Sequence, residues 1–240
     1  MKSERIEAIL SAVSGEEILN LGCVNHCIPS TGAEKKRWLQ HQLCERFPTA
    51  NVLGLDIDRE NVSRMRSLGM NAEVGDAQRL TYRAKFDTIV LGEILEHLGN
   101  PGACLDGCRR ALKPSGRIIV STPNIFSAMF MLMYLKNFDH AFNPEHVVCF
   151  CPQTLRALVE RCGFRIESFG FVDDLAPDVI DDAPYRLFAY AWFGVRWFLP
   201  RRYRNTMVAI CVPSSDQELL RVADRSKASS AVPCSTFAVD

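Results

Sequence analysis

Three side chains with the chemistry of acids, bases and metal ligands stand close together near the middle of this chain: Glu93, Glu96 and His97, at i, i+3 and i+4. Where the backbone turns helical, such residues share one face. Two carboxylates and an imidazole there can hold a divalent cation or take a proton from a hydroxyl. A further ligand is available from His146, in the run Asn143-Pro144-Glu145-His146. The plainer reading is that Glu93 and Glu96 favour a helix N-terminus through its dipole, with His97 packed or acting as a lone base. His140, six residues before His146, reads as a loop histidine.

A second set of polar residues comes earlier. Asn20-Leu21-Gly22-Cys23 follows a first apolar run, Asp56 closes a second, and Asp76-Ala77 follows a third. An acid ending a second strand is placed to accept hydrogen bonds from a ribose diol, and one after a third strand from an adenine amino group. Singly, each reads as a surface turn; their succession at strand ends favours a nucleoside site. The first turn lacks G-x-G-x-x-G, which disfavours NAD and FAD.

These residues need elements to carry them. Strand signals fall at 17–21, 51–57, 70–74, 86–91, 117–122, 164–172 and 207–212. Between them, helical spacing predicts helices over 3–13, 33–47, 59–68, 101–112 and 152–162. Gly69 and Gly163 stop two of these, and Pro48 another. Alternating strands and helices give an α/β class, a parallel-rich sheet with helices on both faces. In such sheets ligands bind beyond the carboxyl ends of the strands, where all of the polar residues above fall.

A chain of 240 residues is long enough for one sizeable core. A single domain over 1–212 is expected, with apolar lid or insert segments at 125–150 and 173–205 and a Ser-rich tail at 213–240. Basic and acidic residues balance at 28 each, so no global field favours nucleic acid. The apolar run 125–135 is too short to span a bilayer, though peripheral membrane contact is compatible with it. Arg201-Arg202-Tyr203-Arg204 reads as a solvated loop. Ten cysteines without paired CxxC spacing read as reduced thiols of a cytoplasmic protein.

ILNLGC (18–23), VLGLDID (52–58), VGDAQRL (74–80), FDTIVLGEILEHL (86–98) and LKPSGRIIVSTPN (112–124) together resemble the successive motifs of class I S-adenosylmethionine-dependent methyltransferases. The resemblance implies a Rossmann-like seven-stranded, mostly parallel sheet whose last strand is antiparallel. It also implies S-adenosyl-L-methionine bound by Asn20, Gly22, Asp56, Asp76, Ala77, Leu91 and Gly92. The chain departs from the pattern at Asn20, usually acidic, and at Val24 and His26, usually glycine. E-x-x-E-H with the later His146 resembles a metal-dependent subgroup, which implies magnesium or manganese on Glu93, Glu96, His97 and His146, with Glu96, His97 and His146 serving catalysis. The implied activity is O-methylation of a small molecule or a glycan- or lipid-linked intermediate, a sugar first and a quinone precursor as alternative. From a different class, the alternative is an inactive fold that serves as a binding partner.

Overall fold

In the computed structural model the chain runs α1 (Glu4–Ala12), β1 (Glu17–Leu21), α2 (Gly32–Lys35), α3 (Leu39–Arg46), β2 (Asn51–Asp56), α4 (Arg59–Ser67), β3 (Ala72–Val74), β4 (Phe86–Gly92), α5 (Pro101–Ala111), β5 (Leu112–Pro123), α6 (Ala128–Leu135), α7 (Pro152–Arg161), β6 (Phe164–Val172) and β7 (Thr206–Pro213). The structure describes residues 3–24, 31–135, 143–174 and 196–215, with 186, 187, 190–192 and 194. His26, His140, a large part of the anticipated lid at 173–205 (175–185, 188, 189, 193 and 195) and nearly all of the 213–240 tail lie outside them. Among the described residues no helix is long and apolar enough to cross a membrane.

One seven-stranded sheet has the order β3-β2-β1-β4-β5-β7-β6. The first five strands are parallel, and β7 is antiparallel to both β5 and β6. Side-chain alternation decides what packs where. Ile18, Val52, Val90, Ile119 and Val208 meet Ile9 of α1 and Leu43 of α3 on one face. Their neighbours Leu19, Leu53, Leu91 and Val120 meet Leu105 of α5 and Leu155 of α7 on the other. Both faces are thus covered, which is why these strands read as near-continuous apolar runs.

Local chemistry fixes the helix starts. Ser3 Oγ accepts from Ile6 N–H at 3.1 Å, Asp58 from Asn61 N–H at 3.0 Å, and Asn100 from Ala103 N–H at 3.0 Å ahead of Pro101.

Three boundaries differ from expectation. The helix expected at 33–47 is two helices, because Trp38 is extended (φ −87°, ψ 108°) and donates its indole N–H to Cys23 O at 2.7 Å. β5 begins at Leu112, since Leu112 pairs with Phe86 before the register shift to Thr88–Arg117. After β4 there is only a 3-10 turn, Leu95–His97, preceded by Glu93 at φ +55°.

The lower end of the sheet is tied by Asp87. It accepts from Glu16 and Glu17 N–H at 3.2 and 3.0 Å and from Lys113 Nζ at 2.8 Å. Gly15 (φ +77°) lies so close that a Cβ there would sit 2.2 Å from Asp87 Cβ, whereas Gly69 (φ +79°) has open space. Gly15→Ala is therefore expected to cost more than the ~1–3 kcal/mol of left-handed backbone strain alone. Gly69→Ala should stay within that range, and thermal denaturation of the two variants checks the order.

Candidate active site

The strand order reverses between β1 and β4, and a cavity of about 680 Å³ opens beyond the carboxyl ends of the strands there. This is the topological switch point of an open α/β sheet. Asn20, Gly22, Asp56, Asp76, Ala77 and Gly92 line it, as do Glu93, Glu96, His97 and His146. Leu91 does not: its side chain is fully buried in the core.

The cofactor-side wall is built from backbone constraints. Gly22 (φ +67°) donates its N–H to Leu55 O at 2.9 Å, and a Cβ there would come within 3.1 Å of Ile94. At Gly92 a Cβ would lie 2.5 Å from Leu39 Cδ2, so a larger residue there would have to displace the Leu39 side chain of α3. Asp56 accepts from Val24 N–H at 2.9 Å on Oδ2 and from Asp58 N–H at 3.1 Å on Oδ1, leaving lone pairs on both oxygens. Asp76 caps its turn by accepting from Gln78 N–H at 2.8 Å. Asn20 is buried, and among the described residues its Oδ1 lacks a partner.

The other wall carries the titratable cluster. Ligand atoms of Glu96, His97 and His146 all lie within 4.8 Å of one another, and the two imidazoles meet edge to face with centroids 4.7 Å apart. What brings His146 across is backbone: Val147 and Val148 N–H both donate to Glu96 O, at 2.9 and 3.1 Å. Glu96 is almost fully buried. Its Oε2 accepts from Thr122 Oγ1 at 2.9 Å, while Oε1 has no partner among the described residues. Burial, then the neighbouring Glu93, pushes the Glu96 carboxyl up to about 8. Burial and His97 push His146 below its ordinary value, which keeps its imidazole neutral.

Glu93 is outside this cluster. Its left-handed backbone turns it toward Arg5, whose Nε is 3.6 Å away and also 2.6 Å from Asp174. Burial still raises the Glu93 carboxyl. The four expected ligands are therefore three together and one apart.

Beyond the cluster a second cavity of about 260 Å³ shares Glu96 and His146 and is walled by Ile125, Phe130, Val148 and Phe150. Thr122, Arg5 and Trp38 were not singled out by sequence reasoning. Only Thr122 carried a signal, as the last residue of the strand expected at 117–122. Asn124, two residues on, is structural: its Nδ2 donates to Arg202 O and Arg204 O, each at 3.0 Å.

A profile of the methyltransferase domain matches residues 6–168. The chain is 26% identical over 211 residues to the ubiquinone biosynthesis O-methyltransferase of Nitrobacter winogradskyi, covering 79% of this chain and 74% of that one. A methyltransferase structure from Archaeoglobus fulgidus superposes with a TM-score of 0.57 at 18% identity, covering 86% and 90% of the two chains. The magnesium protoporphyrin IX methyltransferase of Synechocystis, solved with bound S-adenosylhomocysteine, gives 0.55 at 14% identity over 87% and 82%. The profile spans well over half of the chain, and the sheet order supplies the fold it requires. The chain belongs to the methyltransferase-domain family and is a class I S-adenosylmethionine-dependent methyltransferase.

Proposed function

We propose that this methyltransferase transfers the methyl group to a hydroxyl of a small, largely apolar acceptor held in the second cavity, with a divalent cation on Glu96, His97 and His146. The observation that carries the reading is that Glu96 and His146 line both cavities, with His97 beside them in the first.

Asp56 receives the ribose hydroxyls on its remaining lone pairs, Asp76 and Ala77 the adenine, and Asn20, Gly22 and Gly92 the methionine end. The unpartnered Asn20 Oδ1 and the close packing at both glycines fit such a ligand. The cofactor supplies an electrophilic methyl group, so the chain's task is alignment, worth on the order of 7–11 kcal/mol when complete. A cation beside it would offset the burial that raises the Glu96 carboxyl, leaving it ionised and placed to accept a hydroxyl proton. A cation held by the three ligands would supply a lowered hydroxyl pKa. With Glu93 turned to Arg5, one oxygen and two nitrogens remain, a set that suits manganese or iron better than magnesium.

The walls of the second cavity and the quinone-pathway relatives both support an aromatic hydroxyl rather than a sugar. The test uses purified enzyme, S-adenosylmethionine and a panel of dihydroxyphenols, with mass spectrometry for the gain of one methyl group. EDTA should abolish product, and manganese should restore it more fully than magnesium. Unchanged activity under EDTA would remove the metal from the reading, and methylation of sugars alone would remove the aromatic acceptor.

A further inference from the structure

The amide of Asn20 is held in one orientation by a residue outside the cavity. Asn20 Nδ2 donates to Gln40 Oε1 at 3.0 Å, whereas Asn20 Oδ1 is buried and, among the described residues, without a partner. The two residues are 1% and 0% exposed. Asn20 lines the cavity and Gln40 does not, so the bonded nitrogen is the end turned away.

Space for this pair is built in. Gly54 lies beside Asn20 in the β1–β2 register. A Cβ at Gly54 would sit 3.1 Å from Gln40 Oε1 and 2.8 Å from Cys23 Sγ. Gln40 is carried by α3 directly after Trp38 and Leu39, which also wall the cavity. A buried carbonyl oxygen left unpaired is costly until a donor completes it, and among the described residues no group does so.

We infer that Gln40 is a positioning residue. By accepting from Asn20 Nδ2 it aims Asn20 Oδ1 at the ammonium group of the bound cofactor. The amino-acid end is then held by an uncharged amide where the sequence pattern leads one to expect a carboxylate. A neutral acceptor suits this wall, because Glu93, Glu96, Asp56 and Asp76 already line the same cavity and a further buried acid would meet like charge. This inference rests on the cofactor placement proposed above.

Titration calorimetry with two ligands tests it: S-adenosylhomocysteine, which has the amino-acid end, and 5′-methylthioadenosine, which lacks it. Gln40→Met should weaken S-adenosylhomocysteine about tenfold, the loss of one charge-assisted hydrogen bond. It should leave 5′-methylthioadenosine unchanged, and in an Asn20→Ala background it should add nothing to the loss. Equal weakening of both ligands, or unchanged S-adenosylhomocysteine binding by Gln40→Met, would overturn the positioning role. Failure of the wild-type protein to bind S-adenosylhomocysteine would overturn the cofactor placement instead.

Discussion

Glu96→Gln is expected to lower turnover at least ~100-fold, the lower end of what a positioned acid or base contributes, while S-adenosylhomocysteine affinity stays within about threefold. The substitution is nearly isosteric and keeps an oxygen for Thr122 Oγ1, which now lies 2.9 Å from Oε2. It removes the one carboxylate of the three-residue cluster and so removes both a proton acceptor and the hardest metal ligand. The nucleoside half of the cavity, built on Asp56, Asp76 and the two glycines, is left alone. Steady-state kinetics with the acceptor found in the phenol panel, read beside calorimetry, separates the two effects. Retained turnover would deny Glu96 its role, and lost cofactor binding would place it in the wrong half of the site.

Asp173→Asn is expected to cost about 3–5 kcal/mol of stability, the usual penalty for leaving buried charge unpaired. The Asp173 side chain is inaccessible to solvent and accepts from Arg196 Nη1 at 3.0 Å, with Arg204 Nε 3.8 Å away. Glu4 holds the other ends of both guanidiniums, each at 3.1 Å. Without the Asp173 charge, two buried arginines share one partly exposed carboxylate. Lys113→Ala is the comparison, since the Lys113–Asp87 pair at 2.8 Å is partly exposed and such pairs contribute ~0–1 kcal/mol. Chemical denaturation of both variants measures the difference, and equal losses would show the buried network to be no more than a surface contact. The same network fixes α1, whose Arg5 reaches the cavity.

Much of this was legible in the sequence, for physical reasons. The strands carrying Asn20, Asp56 and Gly92 are buried on both faces and so announce themselves as apolar runs, and their ends place the polar residues without further information. What was not legible depends on distant partners. Nothing near Trp38 says that its indole will bond Cys23 O and break a helix there. Glu93 shares its local spacing with Glu96 and His97, yet φ +55° and the pull of Arg5, 88 positions earlier, send it elsewhere. Asp173, Arg196 and Glu4 form one network from three remote parts of the chain. Gln40 likewise looked like an ordinary polar position within an amphipathic helix.

The docking of residues 147 and 148 onto the Glu96 carbonyl uses main-chain donors alone. Any side chain but proline's at those two positions leaves that anchor intact, so His146 keeps its place. Val148 is also a wall of the second cavity. The titratable cluster and that wall are thereby free to drift separately. A lineage built on this scaffold can change what the second cavity admits by altering the wall while inheriting the cluster unchanged.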